Sequence, residues 1–263
     1  MVAVTINALH ELKKHDKKFP VITAYDASFS RLAHNAGIDV ILVGDSLGNV
    51  VQGHDSTIPV TMGNMIYHTE AVRRGSAKSF VIADLPFMAF SSEAQTLDHS
   101  ALLIQAGANM VKLEGGAWLC NTVQMLSERG IPICGHLGLT PQSVHKLSGN
   151  KVQGRGEEAT EKIIQDALRL EEAGVDLLVL ECVPSTLGSK LTAALNIPII
   201  GIGAGADTDA QVLVVYDMLG LSPSIPTFCK NFLEDTDNIE AALKSYAEDV
   251  RSGRFPGPEH TFS

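Results

Sequence analysis

The chain has 263 residues, 45% hydrophobic and 19% charged, with a formal net charge of −10. This balance excludes a disordered chain, and the acidic surplus with no Lys/Arg cluster excludes a partner held by its phosphate backbone. No apolar stretch reaches the ~18 residues of a membrane span, and the N-terminus lacks the basic and apolar regions of a secretory signal, so a soluble cytoplasmic protein is expected.

Eight short apolar runs follow one another, at 20–26, 39–46, 79–87, 109–116, 131–138, 176–184, 197–205 and 212–220. Unbroken apolar runs of this length are the signature of strands buried on both faces. The segments between the first seven can each hold a helix. The clearest is 157–174, where Ile163, Ala167, Leu170 and Ala173 fall at helical spacing, and 93–107 and 118–130 end in glycines suited to a helix C-terminus. Strand–helix alternation predicts a parallel sheet with right-handed crossovers. Eight units match the roughly 250 residues of a closed (β/α)8 TIM barrel, here one domain over 1–263 with an added helix at 237–253. The six residues 206–211 are too short for a crossover helix, so either that helix is displaced or the run 212–220 is partly helical. The closing segment FPGPEH, 255–260, reads as exposed and free to pack on a neighbouring subunit.

Lys13, Lys14, Lys17 and Lys18, interrupted by His15 and Asp16, read as a solvated helix face. Cys120, Cys134, Cys182 and Cys229 form no CxxC pair and are expected as reduced thiols, with Cys134 and Cys182 as core filler.

A barrel builds its active site at the C-terminal strand ends. There the sequence puts Asp26, Asp45 with Ser46, Asp84, Lys112 with Glu114, His136, and Glu181. A single Asp at such a junction is equally a helix N-cap. Asp45, Asp84 and Glu114 end three successive strands, which lie about 4.8 Å apart. Their mutual repulsion calls for a hard divalent cation such as Mg2+. Lys112 and Glu114 share the inward face; Lys112 is an ion-pair partner of the acids or a contact for a substrate carboxylate. His136 is a satisfied core histidine or a site residue, and its spacing from Cys134 does not decide. Glu181 ends a wholly apolar run, where burial should raise its pKa toward that of a general base. The GIGAG stretch 201–205 is a phosphate loop or a tight turn. The loops 52–61 and 151–158 are lids or ordinary surface.

These residues also sit in a set of ordered motifs: ITAYD 22–26, VGDSLG 43–48, VQGHDST 51–57, YHTEAVRRG 67–75, ADLPFM 83–88, MVKLEGG 110–116, GHLGLTPQ 135–142, KVQGRG 151–156, LECVP 180–184 and IGIGAG 200–205. Together they resemble the ketopantoate hydroxymethyltransferases. The resemblance implies a barrel of the phosphoenolpyruvate/pyruvate type and transfer of a one-carbon unit from 5,10-methylenetetrahydrofolate to 3-methyl-2-oxobutanoate, giving 2-dehydropantoate for pantothenate synthesis. It implies Asp45, Asp84 and Glu114 at the metal, Ser46, Lys112 and His136 at the substrate beside Asp45 and Asp84, Glu181 as proton acceptor, and a homodecamer built as a pentamer of dimers. Ala27, Asn150 and Thr227 depart from the residues usual in that family. The rival readings are a carbon–carbon lyase on the same barrel and a binding protein without turnover.

Overall fold

Alternation along each apolar run decides which side chains face the barrel axis. In the computed structural model, which describes residues 4–263, eight parallel strands close in sequence order, with β8 pairing back to β1. They are β1 (Phe19–Thr23), β2 (Val40–Val43), β3 (Phe80–Asp84), β4 (Met110–Glu114), β5 (Ile133–Gly138), β6 (Leu177–Glu181), β7 (Ile199–Ile202) and β8 (Ala210–Leu213). The expected (β/α)8 barrel is present.

Val40, Leu42, Ile82, Met110, Cys134, Leu177 and Val179 pack into an inner cluster. Their neighbours Ile41, Val81, Val111, Ile133 and Leu178 pack outward beneath the helices. The period of two therefore carries Asp84, Lys112, Glu114, His136 and Glu181 to the inner face at the C-terminal end. It also answers the open question about His136, since Cys134 faces inward. Register sets these side chains beside one another: Asp84 is opposite Lys112, and Glu114 opposite His136.

Ahead of β1, α1 (Ile6–Lys14) is capped by Thr5 and buries Leu9 against the inner cluster, closing the N-terminal mouth. Around the barrel follow α2 (Ala27–Asn35) after β1, α3 (Leu47–Val50) and α4 (Met62–Gly75) after β2, α5 (Glu93–Gln105) after β3, and α6 (Cys120–Glu128) after β4. Then come α7 (Val144–Leu147) and α8 (Glu157–Ala173) after β5, α9 (Ser185–Ala194) after β6, and α10 (Val215–Met218) and α11 (Ile239–Arg251) after β8. Gly107, Gly130 and Gly174 follow α5, α6 and α8 at positive φ, as a helix C-terminus favours.

One open alternative is decided, for a partly helical last run, and two expectations change. The run 212–220 is half strand and half helix: β8 starts earlier, at Ala210, and the chain turns into α10 at Val215. Polar Gln211 disguised the strand's beginning; its buried amide is satisfied by Gly205 O and Thr208 Oγ1. No helix lies between β7 and β8, and that bare turn engages two of the four lysines expected in solvent, Lys14 and Lys17 remaining exposed. Lys13 Nζ lies 2.8 Å from Asp209 and donates to Thr192 O, while Lys18 donates to Thr208 O. Finally, the closing segment 255–260 is exposed only at Pro258 and Glu259, and the residues around them turn inward. Phe255 is buried against Phe232 and Tyr246, and Phe262 returns to the catalytic face, where its carbonyl accepts from Ser185 N–H.

All four cysteines are free, and Cys134 and Cys182 are buried as expected. Among the described residues, no helix is long and apolar enough to cross a membrane.

Candidate active site

The inward-facing charges surround a cavity of about 490 Å3 at the C-terminal mouth, lined by Asp45, Ser46, Asp84, Lys112, Glu114, His136 and Glu181. Every residue singled out for the site is there except Asp26. Asp26 is the N-cap of α2, its carboxylate accepting from the N–H groups of Ser28 and Phe29 at 2.7 and 2.9 Å. Asp45 does no such work. It is buried, and one of its oxygens accepts from Gln142 Nε2 at 2.8 Å.

The acids are less bare than their sequence positions suggest. Lys112 Nζ lies 3.0 Å from Asp84 Oδ1 and 3.9 Å from Glu114 Oε1. His136 bridges the other pair, Nδ1 at 3.3 Å from Glu114 Oε1 and Nε2 at 3.3 Å from Glu181 Oε2. Lys112 Nζ also approaches His136 Nδ1 to 3.3 Å. With His136 protonated both atoms carry hydrogen, so this is a like-charge approach tolerated because Glu114 faces both. The contacts of Lys112 with Asp84 and of His136 with Glu114 and Glu181 have ion-pair distance without hydrogen-bond alignment, which leaves Asp84 Oδ1 and His136 Nε2 buried and unbonded. Among the described residues, the His, Cys, Asp and Glu side chains form no ready cage of three or more metal ligands. The expected convergence of three acids on one point is interrupted by Lys112 and His136.

Electrostatics separates the acids. Burial pushes the Asp45 carboxyl well above the usual carboxylate range, and repulsion from Asp84 and Glu114 adds to it. Burial also raises Asp84, against the pull of Lys112 and the Asp45 N–H. Burial works on Glu114 in the same direction, but His136, Lys112 and the Gln142 N–H outweigh it and its pKa falls. For Lys112, attraction from Asp84, Glu114 and Asp45 overcomes burial and holds the ammonium charged. Burial and Lys112 would neutralise His136, but Glu114 and Glu181 prevail and push its pKa up to about 9.

This last shift predicts a stability change. A histidine whose folded pKa exceeds its unfolded value contributes stability in full below about pH 6.5 and loses it as pH rises through about 9, here on the order of 3 kcal/mol. Metal-free protein is therefore expected to become easier to unfold in urea between pH 6.5 and 9.5. Asp45 and Asp84, also raised, act with the same sign from lower pH upward. The difference between parent and His136→Asn isolates the histidine, and an identical slope in both would contradict the assignment.

Sequence reasoning missed Gln142 and Tyr25. Tyr25 OH is hydrogen-bonded to Ser46 Oγ at 2.8 Å, and its backbone carbonyl contacts His68 Nδ1 at 2.6 Å. The YD pair of ITAYD was legible as a strand end, but nothing marked the tyrosine as the inward partner of Ser46. Asn150 and Thr227, departures from the usual family residues, line the cavity, whereas Ala27 begins α2. Thr57 from the loop 52–61 and Lys151 and Val152 from 151–158 line it too. In the GIGAG stretch, Gly203 adopts φ +59, and a Cβ there would press on Phe262 and Phe228 at 3.0 and 3.1 Å, which favours the tight-turn reading.

Residues 3–258 match the family described as ketopantoate hydroxymethyltransferase. A 3-methyl-2-oxobutanoate hydroxymethyltransferase from Saccharophagus degradans is 58% identical, over 98% of this chain and 96% of its own. One from Escherichia coli is 55% identical with both chains fully covered. Among solved structures, 2,3-dimethylmalate lyase, of the PEP mutase/isocitrate lyase superfamily, has a TM-score of 0.60 at 17% identity, covering 84% of this chain and 83% of its own. Phosphonopyruvate hydrolase, in a complex with oxalate and Mg2+, has a TM-score of 0.60 at 13% identity, over 80% of each chain. The structural neighbours share the barrel; the full-length sequence matches decide membership, and the chain belongs to the ketopantoate hydroxymethyltransferase family.

Proposed function

We propose that this enzyme transfers the one-carbon unit of 5,10-methylenetetrahydrofolate, with uptake of water, to C3 of 3-methyl-2-oxobutanoate, forming 2-dehydropantoate and tetrahydrofolate. The observation that carries the reading is charge imbalance in one small cavity. Counting every ionisable side chain that lines it, Asp45, Asp84, Glu114, Glu181 and Asp217 face Lys112, His136 and Lys151, two negative charges in excess with every acid ionised. An α-keto acid adds another negative charge, so binding it beside these acids calls for a divalent cation.

The donor set suits Mg2+. It is all oxygen, Asp45 has only one oxygen engaged, and Asp84 Oδ1 is buried with no aligned hydrogen bond, its contact being the Lys112 ammonium at 3.0 Å. Asp45 and Asp84 would hold the ion directly. Glu114, with both oxygens engaged by Gln142 N–H and the His136–Lys112 pair, acts at one remove. When bound, the ion supplies Lewis acidity to the keto oxygen.

The remaining work falls to the protein. Lys112 and Ser46 bind the substrate carboxylate, with Tyr25 fixing the Ser46 hydroxyl. Glu181, the one acid with an exposed edge (16% of its side chain), removes the C3 proton, and His136 orients it. The carbanion so formed bonds to the methylene carbon as both C–N bonds of that carbon to the folate break; water supplies the hydroxyl, and the two folate nitrogens take up the C3 proton and one proton of the water. A single-domain cytoplasmic chain and a decameric assembly belong to the same proposal; exposed Tyr67, Met88 and Trp118 offer apolar surface to neighbouring copies.

The test is product formation: purified protein, Mg2+, 3-methyl-2-oxobutanoate and the folate should yield 2-dehydropantoate, with none when the folate or the metal is withheld. Cleavage of 2,3-dimethylmalate in place of this reaction would favour a lyase.

A further inference from the structure

Gln142 is absent from the roles assigned above, yet it touches the ends of more strands than any acid of the site. It lies in the short 3-10 turn Pro141–Ser143 directly after β5 and is buried. Its backbone N–H donates to Glu114 Oε2 at 3.0 Å. Its side-chain Nε2 donates to Asp45 Oδ2 at 2.8 Å and to Leu85 O at 2.9 Å. One residue thus ties the ends of β2, β3, β4 and β5 together.

The amide can sit only one way round. Both partners of Nε2 are acceptors, a carboxylate and a carbonyl, so a flipped amide would set oxygen against oxygen twice. Both amide protons are used, and Oε1 is buried without a protein donor. Gln142 is also the one neutral side chain that donates to Asp45, whose charged neighbours include Asp84 and Glu114. It engages a single Asp45 oxygen and leaves the other for a ligand. On Glu114 its backbone occupies the oxygen that His136 and Lys112 do not reach.

We infer that Gln142 is the positioning residue that divides the labour among the three acids, turning Asp45 toward the cation and holding Glu114 away from it. This rests on the proposed metal site. It differs from that proposal in what it predicts, because the backbone bond to Glu114 survives every substitution at 142 except proline while the anchor on Asp45 does not.

Gln142→Leu keeps the volume and removes both side-chain donors; Gln142→Asn keeps the amide but shortens its reach. For both variants, Mg2+ titrated calorimetrically into folded, substrate-free protein is expected to bind at least tenfold more weakly than to the parent. Turnover at saturating Mg2+ should return to within about threefold of the parent, since Asp45 is still present. A role limited to folding would lower the melting temperature without changing the Mg2+ affinity of the folded protein. Affinity within twofold of the parent in whichever variant folds overturns the inference while leaving the metal site standing. A parent that binds no Mg2+ with or without the keto acid overturns both.

Discussion

Glu181→Gln is expected to lower turnover by roughly 10²–10⁴-fold, the usual worth of a positioned general base, while 3-methyl-2-oxobutanoate binds within about threefold of the parent. The substitution is nearly isosteric and lies at the end of β6, where Gly138 fixes the approach of β5. At φ +89 this glycine sits so close to the Glu181 carbonyl that no side chain fits. The backbone carrying residue 181 is therefore held from both sides, and an amide there leaves the cavity's shape unchanged. What it removes is the carboxylate proposed as proton acceptor, which is also the charge opposite His136 Nε2. Steady-state kinetics alongside calorimetric binding of the keto acid separates the effects. A large rise in the dissociation constant with turnover preserved would make Glu181 a binding residue instead.

Lys112→Met should have the largest effect on stability. Lys112 is buried among Asp84, Glu114 and Asp45, and removing one partner of a buried charge pair costs about 3–5 kcal/mol because the others are left uncompensated. The sign with pH follows from the raised pKa values of Asp45 and Asp84. A carboxyl whose folded pKa exceeds its unfolded one favours the fold below the unfolded value and loses that contribution as pH rises through the folded value. Without Lys112 both values rise further, so the variant's deficit against the parent should be greatest near pH 8 and shrink toward pH 5. Urea unfolding of metal-free protein at several pH values measures it. A deficit below about 1 kcal/mol, the usual ceiling for an exposed pair, would show that the ammonium is not needed to hold the acids together.

The fold and most of the site were legible because a barrel converts a simple period into position. Lys112 and Glu114 stand two residues apart on β4, so facing inward together followed from the strand alone. What could not be read was anything decided by the turns after the strands. Asp26 and Asp45 look alike in sequence, each an Asp closing an apolar run. The chain after Asp26 passes directly into α2 and needs a cap, whereas Asp45 enters the single turn of α3 and its carboxylate is claimed by Gln142 from across the barrel. Gln142 lies 97 residues from Asp45 in the chain, and no local pattern marks such a contact. Phe255 was misplaced because Pro and Gly on either side suggest a surface loop, while its ring fills a niche made by Phe232 and Tyr246.

The position of Lys112 and His136 between the acids changes the account of the metal. The carboxylates do not require an ion merely to coexist; in the proposed reaction the cation becomes necessary when the anionic substrate arrives. This predicts that Mg2+ and the keto acid bind synergistically and that chemistry at C3 begins before the folate is present.

Deuterium uptake at C3 of 3-methyl-2-oxobutanoate in D₂O tests that claim most directly. With the parent protein and Mg2+ but no folate, proton NMR should show loss of the C3 signal and collapse of the methyl doublet, and Glu181→Gln should leave both intact over the same time. Folded parent protein that binds Mg2+ and the keto acid yet exchanges nothing, or a Glu181→Gln variant that exchanges at the parent rate, would contradict the account.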